Sequence, residues 1–172
     1  VSQPDLPENF PDEIEIPDDL SGLTEPTHDP ELAVLITQIA GAEPLAAACS
    51  LAQIEVDAVP TPVGALAVLR DRSGGAPDRA AVTVSQLVKG VPLILATRRG
   101  EQLTCVRYQD GVSEGVLAPG LVLGGAPEAL EDLLTGQVQV SDLPDVVPSS
   151  GISRLKAMRL LTGAARKARK KR

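Results

Sequence analysis

The chain has 172 residues, 43% of them hydrophobic and 1% aromatic, with a formal net charge of −7. This is one domain of ordinary size with some excess for tails, and its core must be built from Leu, Val, Ile and Ala, because Phe10 and Tyr108 are the only aromatic residues. No apolar run approaches the roughly 20 residues a membrane-spanning helix needs, the acidic opening lacks an apolar leader, and two cysteines are too few for a disulfide framework, so a cytoplasmic protein is expected.

The charge is segregated along the chain. Residues 1–31 carry ten carboxylates and no Lys or Arg, whereas residues 152–172 carry nine Lys or Arg and no carboxylate. The stretch between has seven basic and thirteen acidic residues. This pattern predicts three parts: an acidic, proline-rich tail over 1–29, a folded domain over 30–148, and a C-terminal helix with a basic end over 149–172.

Proline density and like charge oppose packed structure in the first segment, which reads as disordered. Phe10, Ile14, Ile16, Leu20 and Leu23 interrupt its acidic background. They make it either a solubilising tail or an acidic-hydrophobic docking segment, with Phe10, Ile14 and Ile16 as partner contacts. Asp29, Pro30 and Glu31 look like a helix start, and Leu32, Leu35, Ile36 and Ile39 recur at helical spacing, so a helix is expected there. Pro44 opens a second short helix over 45–50. Residues 53–59 alternate as a half-exposed strand, and Val63 to Leu69 reads as an interior strand. Residues 71–78 form a surface loop, and 79–89 a helix that ends on Lys89 and Gly90.

The stretch 89–110 organises the rest. Two apolar or β-branched runs, 92–97 and 102–109, flank the polar, glycine-containing Arg98-Arg99-Gly100-Glu101, and this is a β-hairpin pattern. Asp110-Gly111 then turns into a third strand, 112–117. Residues 119–126 read as a loop, 127–134 as a helix stopped by Gly136, and 138–140 as a briefly alternating stretch. Ser149 or Ser150 caps the last helix, with Ile152, Leu155, Met158 and Leu161 as its apolar stripe. The fold class expected is α+β: a single small domain with a mainly antiparallel sheet packed with helices.

This element order resembles that of roadblock and longin modules, small α+β scaffolds that mediate regulation and assembly. The composition, rich in Ala, Val, Gly, Pro and Arg, looks like that of small proteins of high-GC Gram-positive bacteria with no assigned function. The resemblance implies a fold and no site residue.

Motif chemistry is sparse. His28, the only histidine, lies in the acidic segment, away from any partner for acid–base work. Glu55 and Asp57 share a strand face, which is a solvated pair before it is a metal site. Gly124-Gly125-Ala126-Pro127 precedes a helix, but Glu128, Glu131 and Asp132 would repel the anion a phosphate loop binds. Neither a catalytic residue, a metal site nor a cofactor is therefore assigned. Arg98 and Arg99 at the hairpin tip are either solvated or contacts for a partner's anions.

The basic end, Arg166, Lys167, Arg169, Lys170, Lys171 and Arg172, is the strongest signal. It suits a polyanion such as nucleic acid or the ribosome, a solvated tail, pairing with the acidic segment, or a membrane surface. The function expected is a non-catalytic interaction or regulatory module with a protein partner. A small enzyme, or a non-specific nucleic-acid-binding protein acting through the basic end, is the alternative.

Overall fold

The computed structural model describes residues 28–171. The readings of residues 1–27, including Phe10, Ile14 and Ile16, and of Arg172 lie outside the described residues. The elements run β1 (Leu32–Ile36), α1 (Ala42–Leu51), β2 (Val56–Val59), β3 (Leu66–Leu69), α2 (Ala76–Leu87), β4 (Leu93–Arg99), β5 (Gln102–Gln109), β6 (Val112–Leu117), α3 (Pro119–Leu123), α4 (Glu128–Thr135), a 3-10 turn (Val140–Asp142), β7 (Val147–Pro148) and α5 (Arg154–Lys170). The strands form one sheet in the order β6-β5-β4-β1-β3-β2-β7, and every pairing is antiparallel. The α+β expectation is met.

Side chains alternate between the two faces of the sheet, as strand geometry requires. Ala33 and Leu35 of β1 point to the layer of α1 and α2, where they meet Leu45, Cys49, Ala81 and Val84. Leu32 and Val34 point the other way, to Leu130, Leu133 and Leu134 of α4. Helices thus cover both faces, and α5 forms a further layer that lies against α1.

The hairpin is β4–β5 with its turn at Gly100 and Glu101, as expected. The next turn carries Asp110 at φ 51° and Gly111 at φ 85°. Two successive positive φ values are what a two-residue hairpin loop needs to match strand twist, and Asp-Gly is a preferred pair for it.

Several expectations are overturned. Residues 32–36 are the central strand and not a helix. Their apolar positions are continuous because both faces of the strand are buried, and such a run contains helical spacing by accident. Residues 119–123 form a short helix rather than a loop. The alternating residues 138–140 are not a strand; the chain enters a 3-10 turn there. The cap of the last helix is Ser153, whose hydroxyl accepts from the Lys156 amide at 3.3 Å, while Ser149 serves the sheet. The Ser149 hydroxyl accepts from the Val56 amide at 2.8 Å and donates to the Ile54 carbonyl at 2.9 Å, which fastens the short β7 to β2.

Cys49 and Cys105 are free, buried and on opposite faces of the sheet. Burial pushes the Cys49 thiol up to about 12 and raises that of Cys105. The thiolate is the reactive form, so neither should label in the native protein. Reaction with an aromatic disulfide reagent is expected at the rate of global opening, and fast labelling of either thiol in buffer would contradict this burial.

Candidate functional site

The basic end is helical through Lys170, with Lys171 as the C-cap, and α5 is about 25 Å long at the α-helical rise. Lys167, Arg169 and Lys170 lie in its last turn, where the negative end of the helix dipole favours cations. Gly163 does not stop it, although glycine costs a helix about 1 kcal/mol relative to alanine.

α5 runs antiparallel to α1. The Ser50 hydroxyl donates to the Ile152 carbonyl at 2.9 Å at one end, and Ala164 and Ala168 lie beside Pro44 at the other. The seam is made of small residues: Ala157 is fully buried, Leu160, Leu161 and Ala164 are half-buried, and they face the alanine-rich α1. The expected apolar stripe is therefore corrected. Leu155 and Met158 are 68% and 57% exposed. A strict three-residue spacing rotates around a helix by about 60° per step, so a stripe so spaced drifts off the buried side.

The helix stands as a ridge between two depressions. On one side Arg159, Gly163, Lys167 and Lys171, spaced four residues apart, line an open trough of about 950 Å³. Glu43 and Asp145 lie on its opposite wall. On the other side Leu161 and Ala165 line an apolar groove of about 370 Å³. Its other walls are Pro44, Ala48 and Leu51 of α1, and Leu87 and Val88 at the end of α2. Arg169 continues the Leu161–Ala165 row by one more step of four, and Lys89 follows Val88 in the chain. Ala40, Pro44, Ala164 and Ala168 border both depressions.

The hairpin arginines lie at the opposite end of the sheet. Arg98 is engaged internally: its guanidinium donates to the Leu134 carbonyl at 3.0 Å, closing the end of α4, and stands 3.5 Å from the Glu31 carboxylate. Arg99 donates to the His28 carbonyl at 3.0 Å and is exposed. Arg70, Arg72 and Arg98 line a cleft of about 500 Å³ together with Asp57 and Glu31. Asp57 holds Arg70 through contacts of 2.6 and 3.0 Å and raises its pKa. Arg72 donates to the Glu31 carbonyl, so the cations of this cleft already have partners. Glu55 and Asp57 do not form a metal cluster: among the described residues no group of three His, Cys, Asp or Glu could hold an ion. No described helix is long and apolar enough to cross a membrane.

Of the site residues expected from sequence, the structure gathers Arg166, Lys167, Arg169, Lys170 and Lys171 on one exposed helix end, far from Arg98 and Arg99. The groove beside them had no signal of its own in the sequence. Leu87 and Val88 read as the ordinary end of a helix, and only the tertiary fold brings them to Leu161. Compared with protein-family models, curated proteins and solved structures, the chain matches none of them.

Proposed function

We propose that the protein is a non-catalytic interaction module of the cytoplasm that binds an acidic protein segment bearing apolar anchors. The observation that carries this reading is the apolar groove set directly against the most basic helix. Apolar side chains entering it would be desolvated, while carboxylates on either side of them meet the cations of α5. Electrostatics of this kind contributes mainly on-rate and selectivity, and the apolar anchors contribute most of the affinity. Two unpaired, buried thiols agree with a reducing compartment.

The exposed cations also favour a second reading, in which α5 binds a polyanion such as nucleic acid. A pulldown from native lysate, with and without nuclease, separates the two. A protein partner is expected to survive nuclease and to be lost with Leu87→Glu as well as with the double variant Lys167→Glu/Lys170→Glu. Capture that disappears with nuclease and ignores Leu87→Glu would overturn the protein reading. In that case binding to duplex DNA should be sequence-independent, with log affinity falling by about 0.9 per contacted phosphate for each unit of log salt.

A further inference from the structure

The groove asks for a segment with large apolar side chains among carboxylates and no cations. The chain contains one. Between Glu8 and Asp19 it has six carboxylates, no Lys or Arg, and Phe10, Ile14 and Ile16 as its apolar points. We propose that this segment of the same molecule docks in the groove between α1, α2 and α5, with Phe10 and Ile14 as anchors and its carboxylates against the α5 cations. The inference builds on the reading of α5 as the contact surface, and makes the N-terminal segment a competitor for it.

Chain length selects the anchors. The first described residue, His28, is tied to Arg99 at one end of the sheet, and the groove lies beyond the other end of β1, at Ile39. Between them only Leu32–Ile36 is extended strand. The separation is therefore at most about 36 Å, eleven residues at the rise of a strand. Leu23 and Leu20, five and eight residues before His28, reach at most about 18 and 29 Å, less than that full span. Ile16 reaches about 43 Å, Ile14 about 50 Å and Phe10 about 65 Å. Phe10, Ile14 and Ile16 have both the reach and the slack to enter the groove; Leu6 has them too but lies before the Glu8–Asp19 cluster of carboxylates. Attachment to the same chain raises its effective concentration to the millimolar range, so a weak site would still be filled.

The sequence has no tryptophan, so a Phe10→Trp substitution in the full chain reports alone. Its emission is expected to lie to the blue of its value in denaturant, and to be unchanged on dilution. Leu87→Glu and Ala165→Glu, on different helices at the groove surface, should each return the emission to the denatured value while circular dichroism stays native. Leu121→Glu, exposed on α3 across the sheet from the groove, should leave it blue. Solvent-like emission in the otherwise unaltered chain, or a blue shift that ignores both groove variants, would overturn the docking. A shift that vanishes on dilution would place the segment on a second copy, which also overturns it. Solvent-like emission combined with lysate capture that still depends on Leu87 removes the docking and leaves the interaction surface standing. A groove-dependent blue shift with capture indifferent to Leu87→Glu supports the docking and removes the proposed partner site.

Discussion

Alanine at position 64 should destabilise the fold by about 4 kcal/mol or more, the range reserved for severe backbone conflict. Gly64 has φ +143°, and a Cβ there would stand 2.1 Å from the Thr37 carbonyl oxygen. That oxygen belongs to backbone locked in place. The Thr37 hydroxyl donates to the Ala65 carbonyl at 2.8 Å, the Thr37 amide donates to the same carbonyl, and the Ala65 amide donates to the Ile39 carbonyl at 2.8 Å. Gly→Ala at a compatible position stabilises by about 0.4–1 kcal/mol through the unfolded chain, so the sign of the effect reports this contact directly. Urea denaturation of Gly64→Ala checks it, and unaltered stability would show that the β1–β3 junction yields.

The second large effect is at Tyr108, the aromatic residue of the core. It is 5% exposed among the side chains of α2 and the sheet, and its hydroxyl donates to Asp78 Oδ1 at 2.7 Å. Tyr108→Ala should cost about 3–5 kcal/mol, as large aromatic truncations do, whereas Tyr108→Phe removes only the hydrogen bond, about 1 kcal/mol. Burial, and then the hydrogen bond and charge of Asp78, raise the phenol's pKa. A group whose pKa is raised by folding stabilises fully below its unfolded value, near 10 for tyrosine, and loses that contribution as pH rises through the folded value. Stability should therefore fall above about pH 10, and Tyr108→Phe should flatten that fall. An alkaline limb of the same steepness in Tyr108→Phe would assign it to other groups.

Much of this architecture could be read locally. The β4–β5 hairpin, the Asp110-Gly111 turn and the Gly136 stop each depend on residues a few positions apart. β1 could not be read so, because its strand state comes from burial between β3 and β4, both distant in sequence. β7 is two residues long, and the Ser149 hydroxyl that holds it carries no periodicity. The cations of the candidate site were plain in the sequence, but their helical division into a trough row and a groove row was not. Nor was the apolar groove, whose walls come from α1, α2 and α5.

α5 rests chiefly on α1, one layer removed from the sheet. The two cores that decide whether the protein folds lie on either side of the strands, and the outward residues of α5 take no part in them. On the proposed function, recognition and foldedness therefore draw on different residues. Substitutions along the exposed rows of this helix should leave the domain intact, and under the proposed function they would change what it binds, so its binding preference could diverge faster than its fold.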